Sequence, residues 1–159
     1  GEAKQLIEES KEEASECRVI LERKFPQLLM PYQGAYDALQ SKSQDRARHV
    51  LTSLRELMNN LIRLLAPNDS LNKWLDYKGD PSLLSNGKPT RRARILFVCR
   101  DIDHGPLSDF LEKDIAALTK LIDFFNYVHS INHNFTDEQL RAIVFRTESW
   151  ILYLVRLKE

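Results

Sequence analysis

Three polar residues near the end of a long apolar-periodic stretch have the types and spacing for acid–base chemistry: Asn126, His129 and His133. His129 and His133 are four residues apart, so a helix continuing through them puts both rings on one face. One imidazole of such a pair can move a proton in RNA cleavage. Two histidines one turn apart can also share a metal, but zinc needs at least a third ligand, and there is no H-E-x-x-H pattern. We therefore assign Asn126, His129 and His133 as candidate catalytic residues and assign no metal. The alternative role for the histidines is to stabilise, as cations, the negative end of a helix dipole.

A second group is the dense basic run Lys88, Arg91, Arg92, Arg94 and Arg100. Guanidinium groups on a helix bind phosphates through charge and forked hydrogen bonds. Arg91, Arg92, Arg94 and Arg100 are accordingly the candidate nucleic-acid contacts. No aromatic residues are interleaved with them for base stacking, and the competing role is pairing with carboxylates on neighbouring helices. Arg55 and Glu56 form a lesser charged pair that reads as a solvated helix face. There is no Gly-rich phosphate loop, no G-x-S-x-G elbow and no Cys recognisably paired with a His. The sequence implies no cofactor.

The elements that must position these groups are helical. From Pro106 to Lys158 the chain reads as two long helices joined by a polar turn over His129–Thr136. The first carries Leu111, Ile115, Leu118, Ile122 and Phe125 at steps of four and three, with Phe110, Ala117, Leu121, Phe124 and Val128 beside them. Thr136-Asp-Glu-Gln139 is a capping-box pattern opening the second. That second helix is apolar on two sides. Leu140, Ile143, Val144, Thr147, Ile151, Leu154 and Val155 form one face. Phe145, Leu152 and Tyr153 form the other, a candidate homodimer surface unless the N-terminal helices cover it. We read this hairpin as the organiser of the chain.

Upstream, Glu2 to Lys24 reads as a charged helix with a thin seam of Ala3, Ile7, Ser10, Ala14, Cys17 and Leu21. It either links to a region N-terminal of Gly1 or lies on the bundle through Val19, Ile20 and Phe25. Tyr32 to Gln40 is a short helix whose start Gly34 weakens. Gln44 to Leu65 is a strong helix with an inner stripe of Ala47, Leu51, Leu54, Met58, Leu61 and Leu65, and with His49, Glu56 and Arg63 on the far side. Leu71 to Leu75 forms a short helical turn, and Asp76 to Pro89 reads as a loop. Thr90 caps a helix running to about Arg100.

The 159 residues are most simply one domain, 1–159, large enough to bury a core. The chain is 43% hydrophobic and 29% charged, with 23 basic and 23 acidic residues, so global charge does not select nucleic acid as a partner. No alternating strand pattern stands out, and the expected class is all-α: an antiparallel helical bundle of five to seven helices without significant sheet. Two isolated cysteines, Cys17 and Cys99, make neither a disulfide framework nor a zinc site and fit a reducing cytoplasm. No apolar run approaches the roughly 20 residues of a membrane span. The chain starts at Gly1 rather than Met and reads as part of a longer protein.

Longer patterns carry a resemblance. Arg48-His49-Val-Leu-Thr-Ser-Leu-Arg55-Glu56-Leu, Leu64-Leu-Ala-Pro67 and Arg91-Arg-Ala-Arg94-Ile-Leu-Phe-Val-Cys-Arg100 form one part. Asn126-Tyr-Val-His129 and Phe135-Thr-Asp-Glu-Gln-Leu-Arg141-Ala form the other. Together, over roughly Ala47 to Leu157, they resemble the predicted pPIWI-associating nuclease domains of bacterial defence loci and, more distantly, HEPN helical domains. The HEPN resemblance implies a dimerising bundle that cleaves RNA without metal, through an Arg followed by a His after four to six intervening residues. That motif is absent: Arg100 and His104 have three residues between them. Two functions follow as expectations. One is an RNA-directed domain of a defence- or toxin-type protein, possessing metal-independent ribonuclease activity. The other is a non-catalytic dimerisation or protein-interaction module.

Overall fold

The computed structural model describes residues 1–101, 105–126 and 135–158. The helical expectation holds. Among the described residues there are seven α-helices: α1 (Glu2–Lys24), α2 (Leu29–Gln40), α3 (Arg46–Leu65), α4 (Asn68–Lys78), α5 (Arg91–Val98), α6 (Gly105–Asn126) and α7 (Asp137–Lys158). Each contributes to one apolar cluster. None is long and apolar enough to cross a membrane.

The centre is α3 rather than the α6–α7 pair. Its buried residues are Val50, Leu51, Leu54, Leu57, Met58, Leu61, Ile62 and Leu65, a stripe wide enough for several neighbours. α2, α5, α6 and α7 all pack on it. The apolar face of α6 is narrower than its sequence suggests. Ile115, Leu118, Ile122 and Phe125 are buried, while Phe110 is 59% exposed and Ala117 faces solvent. The second face of α7 is largely covered within the chain. Leu152 is buried in the core, Tyr153 is half-buried edge-on to Trp150, and of the three proposed dimer residues only Phe145 is exposed. One coverer is α1, tied to α7 by the Arg156 Nη2–Glu16 Oε2 pair at 2.8 Å.

α1 packs by its second half. Cys17, Ile20 and Leu21 are buried, whereas Ala3 at the start of the expected seam and Val19 are exposed. α2 begins earlier than expected, at Leu29, and Gly34 lies inside it. A Cβ on Gly34 would sit 3.1 Å from Ser53 Oγ, so this glycine permits close approach of α2 to α3.

The expected short turn at Leu71–Leu75 is an eleven-residue helix, α4, entered through Pro67 and closed by Gly79 at φ 62°. The expected loop over 76–89 contains a 3-10 turn at Pro81–Leu83 and a small antiparallel hairpin, β1 (Leu84–Ser85) and β2 (Lys88–Pro89). Asn86 and Gly87, at φ 52° and 75°, supply the left-handed pair that a two-residue hairpin turn requires. Both sequence-read caps form. Thr90 Oγ1 accepts from the Ala93 amide at 3.0 Å. Thr136 and Gln139 exchange hydrogen bonds at 3.1 and 3.0 Å.

Candidate nucleic-acid interface

The short helix α5 buries Ala93, Ile95, Phe97 and Val98, which fixes where its arginines can go. Arg91 and Arg94, three residues apart, share a face that turns toward α3 and α4. Arg91 donates through Nε to Asn59 Oδ1 at 3.3 Å and pairs through Nη1 with Asp123 Oδ1 of α6 at 2.5 Å. Arg94 donates to the Ala66 carbonyl and to Asn68 Oδ1, both at 2.9 Å. Its partners are neutral, so its charge has no counter-ion among the described residues. Burial and the neighbouring Arg63 push its pKa down.

These two arginines border a cleft of about 540 Å³ closed by α3, α4 and the hairpin. Its lining includes Asn59, Arg63, Asn68, Asn72, Lys88, Arg91 and Arg94, and among the described residues it contains no carboxylate. Arg63 and Lys88 have no hydrogen-bond or ion-pair partner among the described residues. Positive groups held together without counter-ions favour an anion. The cavity between α2 and α3, about 580 Å³, differs in kind, because Asp37 sits there with Arg48 and His49.

The four predicted arginines therefore do not form one patch. Arg91 and Arg94 meet in the cleft. Arg92 turns to α6, where Nη2 lies 3.6 Å from Glu112 Oε2. Arg100 folds back on its own helix end, donating to the Phe97 carbonyl at 2.8 Å with its guanidinium 3.9 Å from the Phe97 ring centre. Lys158 approaches the same ring at 5.1 Å, and burial together with Arg100 pushes its pKa down. Sequence reading missed Arg63, Asn59, Asn68 and Asn72. Asn59 and Arg63 are one turn apart on α3 and Asn68 and Asn72 follow closely on α4, but Arg91 and Arg94 on α5 come from distant sequence.

Of the candidate catalytic residues, Asn126 is the last residue of α6. His129 and His133 lie outside the described residues. Asp123, one turn before Asn126, ties this end of α6 to Arg91 at the cleft. Among the described residues no three His, Cys, Asp or Glu side chains are grouped to hold a metal ion.

A buried polar cluster lies elsewhere, between α1, α2 and α7. The Glu148 carboxylate is 2% exposed and accepts from the Tyr32 hydroxyl and, at 2.7 Å, from the Tyr36 hydroxyl. Burial raises the Glu148 pKa and outweighs these hydrogen bonds, which lower it. Burial also raises both tyrosines and pushes the adjacent Cys17 thiol up to about 12. With 2% exposure, Glu148 reads as part of the core and not as a reacting group.

The fold and cleft thus define an all-α bundle with one sharply cationic, carboxamide-lined recess. The chain belongs to the family described as predicted pPIWI-associating nuclease, whose model matches residues 21–154. No curated protein and no solved structure matches it significantly.

Proposed function

We propose that this chain is an RNA-directed helical domain of a bacterial pPIWI-associated defence system, and that the cleft between α3, α4 and α5 takes RNA phosphates. The observation that carries this reading is the lining: Arg63, Lys88, Arg91 and Arg94 around three asparagine carboxamides, with no carboxylate among the described residues. Phosphate contacts of this kind give affinity and position without reading sequence. The family description, a predicted nuclease, supports a nucleic-acid substrate. In this proposal His129 and His133 act near the scissile bond and Asn126 orients the substrate. Asp123 links α6, which ends at Asn126, to the cleft rim through Arg91.

The test is incubation of the purified chain with structured and unstructured RNA, with and without EDTA, beside His129→Ala/His133→Ala. The expected result is binding that weakens with salt and cleavage that survives EDTA but is lost in the variant. A folded protein that binds no RNA would sink the proposal.

A second reading, a non-catalytic interaction module, rests on α1. Its described side chains from Glu2 to Glu12 are all exposed, and Leu6 is 64% exposed. RNA binding without cleavage, with a partner protein engaging this half-helix, would favour it.

A further inference from the structure

We infer that the cleft is an end-recognition pocket: it holds one terminal nucleotide of an RNA, with a phosphomonoester set among Arg63, Lys88 and Arg94. This rests on the RNA-directed reading and narrows it. Size is the first argument. About 540 Å³ lies within the roughly 300–1,000 Å³ of small-ligand sites. A groove that tracks a single strand serves roughly 4–16 nucleotides and stacks their bases on aromatic rings. Among the described residues no aromatic side chain lines this cleft.

Charge is the second argument. Arg91 is already balanced by Asp123, which leaves Arg63, Lys88 and Arg94 uncompensated among the described residues. An internal phosphodiester brings one negative charge. A terminal phosphate brings about −1.5 to −2 at neutral pH and three acceptor oxygens, a better match to three converging cations.

Hydrogen-bond geometry is the third. Asn68 is held by Arg94 and Asn59 by Arg91, each through its carbonyl oxygen, so each keeps its NH₂ as a donor. The Asn72 carboxamide has no partner among the described residues and can reach a sugar hydroxyl of a bound nucleotide. Arg94, anchored by two neutral acceptors, offers a fixed charge, while Arg63 and Lys88 can close on the phosphate.

The experiment measures binding of one RNA sequence in three forms, with a 5′-phosphate, a 3′-phosphate or only hydroxyl ends. Inorganic phosphate and nucleoside monophosphates serve as competitors. One phosphorylated form should bind at least about tenfold tighter than the hydroxyl form, the scale of one lost charged hydrogen bond. A nucleoside monophosphate should displace it. The exposed-site variant Arg63→Glu/Lys88→Glu should erase the preference while its melting temperature stays near that of the parent. Equal affinity for all three forms would overturn end recognition but leave RNA binding standing. A preference undiminished in the variant would move the end site away from this cleft. Failure of every RNA to bind would remove the broader proposal as well.

Discussion

At the scale of the residue, Glu148 is the group most at odds with its surroundings. A carboxylate 2% exposed is held by two phenols instead of a cation. Its folded pKa is raised from 4.5, chiefly by burial. The folded state therefore binds this proton more tightly than the unfolded chain does. The associated stability is fully present below about 4.5 and is lost as pH rises through the folded value. Glu148→Gln stays neutral throughout, so its stability relative to the parent should improve as pH climbs from about 4.5 toward neutrality. Nearby Glu13, also raised by burial, repels the ionised Glu148, and Glu148→Gln removes that repulsion, which adds to the expected improvement. Parallel stability–pH curves from urea titrations would contradict this account. Removing one donor tests the hydrogen bonds directly. Tyr32→Phe should cost about 1–3 kcal/mol at neutral pH, because a buried carboxyl group loses a hydrogen-bond partner. A cost within a few tenths would mean that Tyr36 and the burial of the ring carry the site alone.

At the scale of the element, what was legible in the sequence was local. The α3 stripe, the Thr90 cap and the Thr136–Gln139 box depend on residues three or four apart, and all three form. α4 was underestimated because Ala66-Pro67-Asn68-Asp69-Ser70 carries the residue types of a loop. Pro67 in fact both ends α3 and leads straight into α4. Gly34 was read as a weak helix start, whereas its role depends on Ser53 across the α2–α3 contact. This yields a prediction about that contact. In the parent, Gly34→Ala gains helix propensity but brings its Cβ 3.1 Å from Ser53 Oγ. With Ser53→Ala the nearest remaining atom is the Ser53 Cβ position at 3.8 Å, an ordinary contact. Gly34→Ala should then stabilise by roughly 0.5–1 kcal/mol in the Ser53→Ala background, and by less in the parent. Equal effects in both backgrounds, measured by thermal or urea unfolding, would show that Ser53 Oγ does not constrain the approach.

At the scale of the whole molecule, balanced composition conceals uneven placement. Basic and acidic residues number 23 each, yet among the described residues the cleft gathers four cations and no carboxylate into its lining. Arg63 of α3, Lys88 of the hairpin and Arg94 of α5 meet only because α3 is central and α5 packs on it. No periodicity within one helix can announce such a convergence, which is why the basic run was legible and the recess was not. Asp123 then becomes the control point, because among the described residues it is the one carboxylate that neutralises a cleft arginine. For single-stranded nucleic acid each neutralised phosphate contributes about 0.7 to the salt slope. Releasing Arg91 with Asp123→Asn frees one more cation, so the fall in log K against log salt should steepen by about 0.7 as that cation meets a further phosphate. The asparagine keeps an oxygen to accept from Arg91, so the arginine stays in place while its charge is freed. Asp123→Asn should therefore bind RNA more tightly at low salt and lose that advantage as salt rises. If the two slopes coincide across a salt series, the phosphates do not enter this cleft, and RNA contact must be sought on another face of the bundle.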